Sequence, residues 1–338
     1  SLQENYGETG MAHLLEHLLF KGTPKHPDIA GEMQQRGVNK NATTSLDRTN
    51  YFASFPANDD TLDWLLGLEA DRMLNSKVAK ADLDSEMTVV RNEMEAGDNN
   101  PAGVLMKRMR SVAYDWHNYG NLPIGARSDV ENVPIGNLHA FYRTWYQPDN
   151  ALLVVAGRID AAKALGRIAA HFGPLKKPAR VLPALHTVEP TQDGEREVTV
   201  RRTGDLSLVA ANYHIPALAQ ADSAALAVLG NVLGHTPSGR LHKALVETKL
   251  AAGAGAGGAS MREPGLFNLI AVLPKDGDAA KAEAEMLRQA EAVAAHPVSE
   301  EEVAAAKQRI ANDREDLFNN VNAVAMALSE YQAAGDWR

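Results

Sequence analysis

The chain has 338 residues, of which 45% are hydrophobic and 23% charged, with a formal net charge of −9 and no cysteine. This composition is typical of a globular protein with two domains, and an acidic chain without clustered Lys and Arg is not expected to bind nucleic acid. Without cysteine, disulfides and thiolate metal sites are excluded, so any bound metal must be held by His and carboxylate groups. No apolar run reaches the roughly 18 residues that a membrane span needs.

The first predicted helix, over residues 7–21, contains the pattern His13-x-x-Glu16-His17. At about 100° per residue, His17 lies about 40° round from His13 and one turn along, so both imidazoles can hold one ion. Glu16 lies about 60° from His13 on the other side. This is the inverted form of H-E-x-x-H, and it offers what metal-assisted hydrolysis requires. Paired histidines on an amphipathic helix can also be ordinary surface or core residues, so a third ligand is needed.

The elements that follow in the first half are mostly helical. We predict one hairpin, a buried apolar strand and several helices: helix 27–36, strands 38–45 and 49–55, helices 59–73, 80–96, 101–112 and 134–145, strand 151–156, and helix 160–172. Residues 176–194 are rich in Pro and Lys and lack periodicity, which indicates a linker.

The pattern restarts after the linker. We predict strands 197–202, 207–214, 251–259 and 265–273, and helices 222–234, 239–248, 278–295, 299–314 and 315–334. Strands beside long helices without strict alternation predict an α+β fold with two similar halves, each a mostly antiparallel sheet covered by helices. The expected domains are residues 1–175 with the metal motif, the linker 176–194, and residues 195–338 without the motif.

A third metal ligand is sought among the acidic residues of the predicted helix 80–96. Glu86 and Glu93 lie about 20° apart in rotation, and so share a face, but are about 10 Å apart along the helix axis. Only one of them can reach the ion, while the other can hydrogen-bond a ligand histidine. Glu95 points about 160° away from Glu93. From spacing alone, the choice between Glu86 and Glu93 stays open, and a solvated acidic face is an equal alternative.

Three segments of the sequence resemble the pitrilysin/insulinase family of zinc metallopeptidases, together with the mitochondrial processing peptidases. They are GETGMAHLLEHLLFKGT (7–23), NATTSLDRTNY (41–51) and EMTVVRNEMEAGDNNP (86–101). The resemblance runs from about residue 5 to the end of the chain. In that family a ligand Glu follows the second His of the motif by about 76 residues, a spacing that leads from His17 to Glu93.

The resemblance implies a role for each residue of the motif. His13, His17 and Glu93 would hold one Zn²⁺ per chain, with water in the fourth position. Glu86 would hydrogen-bond a ligand histidine without touching the ion. Glu16 would act as general base, taking a proton from the water and returning it to the leaving amine.

A peptide substrate is expected beside the hairpin strand that carries Asn41, Ala42 and Thr43. In the family an extended substrate adds as a further strand at this place, bound mainly through main-chain hydrogen bonds. An ordinary core strand is the alternative for this segment. Phe20 matches a family position for an aromatic residue in the substrate pocket, although a core role for Phe20 is equally compatible with the sequence.

The sequence departs from the family in its second half. Members usually carry an Arg and, some residues on, a Tyr that reach the substrate from across a chamber. In this chain the corresponding positions are Val246 and Ala252, although the surrounding pattern, including Arg240, is present. We therefore expect the pair to come from a partner subunit in a homo- or heterodimer, or from a further half of the polypeptide beyond Arg338. We also expect N-terminal strands that precede Ser1.

The sequence thus predicts a zinc endopeptidase that cleaves peptides or unfolded polypeptide segments. Two alternatives remain: a non-catalytic core or assembly subunit of the same fold, and a catalytic subunit that is active only with a partner half bearing the Arg and Tyr. The resemblance implies a location in the bacterial cell envelope, in the periplasm, with the cytoplasm as the alternative.

Overall fold

The computed structural model describes residues 1–258 and 261–337. Within it the chain forms two compact units: unit 1 comprises Ser1–Asn99 and Tyr114–Gln192, and unit 2 comprises Asn100–Ala113 and the chain from Asp193 onward. The segment 176–192 therefore belongs to unit 1. The helix predicted over residues 101–112 belongs to unit 2, although in the sequence it comes between two segments of unit 1. In the described part of the chain, no helix combines the length and the apolar character that a membrane crossing requires.

Unit 1 has one two-stranded antiparallel sheet and several helices. The sheet pairs β1 (Asn39–Thr44) with β2 (Thr49–Ser54), with Ala42 opposite Tyr51. The helices are α1 (Met11–Leu18), α2 (Ile29–Gln35), α3 (Asp59–Asn75), α4 (Lys80–Asp98), α6 (Arg127–Asn132), α7 (Ile135–Trp145) and α8 (Ala161–Phe172), while α5 (Pro101–Ala113) is the helix in unit 2. The hairpin is confirmed to within one residue, and α6 was not predicted.

The first helix begins at Met11, later than predicted, because Gly10 takes a left-handed conformation with φ of +94°. A Cβ at Gly10 would lie 2.7 Å from the Ile124 carbonyl oxygen, so the position needs glycine. The first N–H groups of α1 are capped from a distance. Glu4, which is 4% exposed, accepts from Gly10 N–H at 2.9 Å and from Ala12 N–H at 2.8 Å. This buried carboxylate fixes where the helix with the metal motif starts.

Unit 2 is built on a three-stranded antiparallel sheet. Its strands β3 (Ser207–Ile215), β4 (Gly253–Gly258) and β5 (Gly265–Leu273) run in the order β3-β5-β4. Helices α9 (Ser223–Gly234), α10 (Ala279–Glu291), α11 (Glu300–Phe318) and α12 (Val321–Ala334) complete the unit. Alternate residues of β5, among them Phe267, Leu269 and Ala271, are buried in the core. The α+β prediction is confirmed: helices pack around two sheets whose strand pairs are antiparallel.

Two predicted strands are wrong. Residues 151–156 form no strand, and Leu152 and Leu153 are 45% and 38% exposed. Residues 197–202 also lack strand structure. An apolar run becomes a strand only where a neighbour completes its hydrogen bonds, and in the described part of unit 1 the strands β1 and β2 pair with each other. The predicted helix 239–248 is reduced to a π-helical turn at His242–Val246.

Candidate metal centre

The metal motif lies where α1 packs against α4. Leu14, Leu15 and Leu18 of α1 share a buried cluster with Leu83 and Val90 of α4. Met87 and Met94 extend the same stripe of α4 against this cluster. The apolar spacing sets the register of the two helices. It brings the Glu86 and Glu93 side of α4 against the histidines of α1.

His13, His17 and Glu93 converge, each with one donor atom within 4.8 Å of the others. Glu93 Oε2 lies 3.5 Å from His13 Nε2 and 3.5 Å from His17 Nε2. The two imidazole rings are 4.8 Å apart and inclined at 76°. Ligand atoms arranged tetrahedrally at about 2.0–2.2 Å from zinc are about 3.3–3.6 Å apart. The two distances from Glu93 to the imidazole nitrogens match this separation, and two imidazoles with one carboxylate are a donor set that zinc accepts.

The electrostatics of His13 suit a metal ligand. Burial, with a smaller contribution from the neighbouring His17, lowers the pKa of His13 to about 4. The imidazole is therefore neutral near pH 7, the state in which it can bind a metal. Its Nδ1 is buried and has no hydrogen-bond partner among the described residues, whereas its Nε2 faces Glu93.

Glu86 contacts a histidine but not the centre of the donor set. Its Oε2 accepts from His17 Nδ1 at 3.1 Å, and its Oε1 makes a close ion pair with Lys21 Nζ. Burial raises the pKa of Glu86, but the hydrogen bonds from Lys21 and His17 outweigh it and leave the pKa below its ordinary value. The geometry therefore separates the two glutamates that spacing alone could not distinguish.

Glu16 points from α1 towards the hairpin. Its Oε2 accepts a hydrogen bond from Thr44 Oγ1 of β1 at 2.6 Å. Burial raises the pKa of Glu16, and the hydrogen bond from Thr44 opposes that shift. A half-buried carboxyl group whose pKa is raised towards neutrality can both take and return a proton.

The predicted substrate residues occupy different surroundings. Asn41 is exposed, Ala42 is buried and Thr43 is half-buried. Ala42 N–H donates to Asn41 Oδ1 at 2.9 Å, and Arg48 Nη1 donates to the Thr43 carbonyl at 3.2 Å. Whether a peptide binds along this strand stays a prediction.

Phe20 packs against the buried cluster formed by Ile29, Met33, Val38, Leu65 and Leu68. The guanidinium of the buried Arg72 lies over its ring at 5.0 Å. This packing favours the core interpretation of Phe20, which the sequence left equal to a substrate-pocket role.

Three residues of this region were missed by sequence reasoning: Glu4, Lys21 and Thr44. Lys21 and Thr44 lie inside the segments that carry the family resemblance, so their positions offered a signal. Glu4 lies six residues before Gly10, and nothing local in the sequence connects it with the helix that it caps.

The chain is similar to known proteins, several of which are named zinc proteases. The profile described as "Insulinase (Peptidase family M16)" matches residues 1–126, and the profile "Peptidase M16 inactive domain" matches residues 132–310. The zinc protease PqqE of Helicobacter pylori is 34% identical over 277 residues, which are 80% of this chain and 62% of that protein. Mitochondrial core protein I of the ubiquinol-cytochrome-c reductase complex from Euglena gracilis is 29% identical over 68% of this chain and 46% of that protein. The chain thus spans less than two thirds of the length of these relatives.

Solved structures extend the comparison. The crystal structure of a protease from Helicobacter pylori is 30% identical and superposes with a TM-score of 0.93, over 99% of this chain and 82% of that one. The periplasmic protease PqqL from Escherichia coli is 21% identical, with a TM-score of 0.73, over 99% of this chain and 39% of that one. At that identity the second likeness shows the fold alone.

Proposed function

Because the chain belongs to peptidase family M16, the insulinase family, we propose that it is a zinc-dependent endopeptidase acting on peptides or unfolded polypeptide segments. The observation that carries the proposal is the convergence of His13, His17 and Glu93 beside the carboxylate of Glu16. The relative from Helicobacter pylori that is named a zinc protease supports the same chemistry.

The chemistry is divided among these residues. Zinc, when bound by His13, His17 and Glu93, supplies a Lewis acid that acidifies water and polarises a peptide carbonyl. Glu16 accepts a proton from the attacking water and returns it to the leaving amine. Thr44 holds one oxygen of Glu16, and Glu86 holds the Nδ1 side of His17. Both contacts restrict side chains whose orientation the reaction depends on.

The substrate is proposed to bind as an extended strand along β1, at Asn41, Ala42 and Thr43. Strand addition uses main-chain hydrogen bonds, so it accepts many sequences and requires an unfolded segment. The small side chain of Ala42 permits close approach of another backbone. Asn41 Oδ1 accepts a hydrogen bond from Ala42 N–H in this structure. A substrate carbonyl oxygen would replace Asn41 Oδ1 as the acceptor.

A partner half that supplies the Arg and Tyr is proposed as well, because Val246 and Ala252 occupy the corresponding positions here. Such a pair would stabilise the charge that develops on the substrate carbonyl oxygen, an effect of about 3–4 kcal/mol in other hydrolases. Equimolar addition of an Arg/Tyr-bearing chain of the same fold should raise kcat. An unchanged kcat, with both chains shown to associate, would contradict the partner proposal.

A non-catalytic assembly subunit is the second candidate, since a core protein of a respiratory complex is among the relatives. It is less well supported, because such a subunit does not need three metal donors beside a half-buried carboxylate. For the location we propose the periplasm, which the name of the Escherichia coli protease of the same fold suggests for that protein. Fractionation of cells that express the full-length gene tests the location.

The function is tested with a quenched fluorogenic peptide and the purified chain. We expect hydrolysis that disappears after chelation and returns with stoichiometric Zn²⁺. Glu16→Gln should keep one zinc per chain and lose at least about a hundredfold in kcat. Full zinc occupancy with no hydrolysis, alone or with a partner, would favour the assembly subunit, and equal turnover by Glu16→Gln would contradict the assigned general base.

A further inference from the structure

Lys21 is the outermost member of a chain of polar contacts that ends at the metal centre. Its Nζ pairs with Glu86 Oε1, and the other oxygen of the same carboxylate, Oε2, accepts from His17 Nδ1 at 3.1 Å. The side chains of His17 and Glu86 are 15% and 14% exposed, and that of Lys21 is 33% exposed. Lys21 thus stands between solvent and a largely buried carboxylate.

Each oxygen of the Glu86 carboxylate makes a different contact. A carboxylate can only accept, so the proton of the His17–Glu86 bond lies on Nδ1, which leaves the lone pair of His17 on Nε2. Nε2 is the atom that lies 3.5 Å from Glu93 Oε2. With Oε1 occupied by Lys21, Glu86 cannot rotate to offer both oxygens elsewhere without breaking an ion pair.

The backbone holds Lys21 in place for this contact. Gly22 follows it with φ of +127°, and a Cβ there would lie 2.5 Å from the Pro27 carbonyl oxygen. The Gly22 carbonyl accepts from Lys77 N–H at 3.1 Å. Thr23 Oγ1 donates to Asp71 Oδ2 at 2.5 Å. The turn after Lys21 is therefore anchored, which fixes the backbone position from which the lysine reaches Glu86.

His13 has no such support. Its Nδ1 is buried without a partner among the described residues. Among the described residues, a side chain sets the tautomer of His17 but not that of His13.

We propose that Lys21 is a positioning residue for the metal centre: it orients Glu86, which in turn fixes the Nε2 lone pair of His17 towards the ion. The inference rests on the proposed function only in taking zinc as the ion. A lysine after the last turn of a helix can also stabilise the helix dipole, and that purely structural role predicts a change in stability without a change in metal affinity.

The experiment measures zinc affinity of the full chain by competition with a chromophoric chelator. Lys21→Met should weaken zinc binding about tenfold or more, in the range found for residues that support metal ligands. Lys21→Arg should retain most of the affinity, because a guanidinium can still pair with Glu86. Lys25→Met, at an exposed lysine four residues on, is the matched control and should leave affinity unchanged. Nitrogen-15 NMR of the His17 ring should show the proton on Nδ1 in the wild-type chain.

Each possible result supports or overturns the proposed role of Lys21. Equal affinity of wild type and Lys21→Met, an equal loss in Lys21→Met and Lys25→Met, or His17 protonated on Nε2 would overturn it. If Lys21→Met folds poorly by circular dichroism, Lys21→Gln and the wild-type NMR measurement decide instead. Zinc binding that depends on Lys21 in a chain without peptidase activity, alone or with an Arg/Tyr-bearing partner half, would leave the inference standing and reject the proposed function. A wild-type chain that takes up no zinc would reject both.

Discussion

Thr44 Oγ1 donates to Glu16 Oε2 at 2.6 Å, and this bond joins the hairpin to the carboxylate beside the metal centre. One oxygen of the Glu16 carboxylate is therefore held by β1. Thr44 lies next to Asn41–Thr43 on the same strand. A peptide that binds along β1, as proposed, would therefore lie on the same strand that orients the proposed general base.

Removing the Thr44 hydroxyl should lower the rate of peptide hydrolysis. A hydrogen bond to a charged group contributes about 1.5–3 kcal/mol, so Thr44→Val should reduce kcat by roughly ten- to a hundredfold while zinc content stays at one per chain. Steady-state kinetics with elemental analysis measures both.

Thr44→Ser keeps the donor and should retain most of kcat. Thr144→Val is the matched control, since Thr144 Oγ1 donates to the Ala140 carbonyl of its own helix. Wild-type kcat in Thr44→Val, or an equal loss in Thr44→Val and Thr44→Ser, would show that the hydroxyl does not act on Glu16.

The proposed role of Glu93 as third metal ligand can be tested by comparing it with the nearby Glu95. Glu93→Gln should weaken zinc binding by at least about tenfold, because a neutral amide replaces the anionic donor between the two histidines. Glu95→Gln removes an exposed carboxylate two residues along the same helix and should leave zinc binding unchanged. Elemental analysis after dialysis against a weak chelator measures the difference. Equal zinc retention by the two variants would exclude Glu93 as a ligand.

Replacing Glu4 should lower the free energy of unfolding. Glu4→Ala leaves Gly10 N–H and Ala12 N–H buried without their acceptor, at an expected cost of about 2–3 kcal/mol in the free energy of unfolding. Urea denaturation followed by circular dichroism gives the value. Glu283→Ala, at an exposed helical position, should change stability by less than about 0.5 kcal/mol. A similar small change for Glu4→Ala would show that water replaces the cap.

The Glu302–Arg240 pair predicts a pH dependence of stability. Arg240 Nε and Nη2 donate to the two oxygens of Glu302 at 2.8 and 2.6 Å, and these hydrogen bonds lower the pKa of Glu302 to about 2. A lowered pKa means that the contribution is present above the unfolded-state pKa of about 4.3 and is lost as pH falls towards 2.

We expect the difference in unfolding free energy between wild type and Glu302→Gln to be about 1 kcal/mol near pH 7, after allowance for solvent screening. It should shrink steadily below about pH 4.5. Urea denaturation of both proteins at a series of pH values measures it. A difference that stays constant down to pH 3 would contradict the assigned pKa.

The two candidate histidine donors and most helices could be predicted from the sequence, because both depend on local spacing. His13 and His17 are one turn apart, and Leu83, Met87, Val90 and Met94 repeat at helical intervals on α4. The choice of Glu93 over Glu86 could not be made from spacing, since it depends on how α1 and α4 are aligned, and a hairpin and two further helices separate them in the chain. The sequence resemblance selected Glu93, and the distances agree with that selection.

The strand that was wrongly predicted and the polar contacts that were not predicted have a common physical cause. Residues 151–156 have strand composition, but a strand also requires a partner that completes its hydrogen bonds, and composition does not reveal one. The cap of α1 by Glu4 and the Lys21–Glu86 contact likewise depend on residues that approach only after folding. Local propensity predicts helices and strands. The long-range polar contacts that orient a site become visible only in the folded structure.

The helix α5 lies between segments of unit 1 in the sequence but belongs to unit 2. Its end is held there by Arg196 Nη1, which donates to the Val112 carbonyl at 2.8 Å, and by His214 Nε2, which donates to the Ala113 carbonyl at 2.9 Å. A chain cut after residue 175 would therefore retain a helix whose neighbours have been deleted. The boundary between the two units cannot be drawn with one cut in the gene, and neither unit can be exchanged between relatives as an uninterrupted segment.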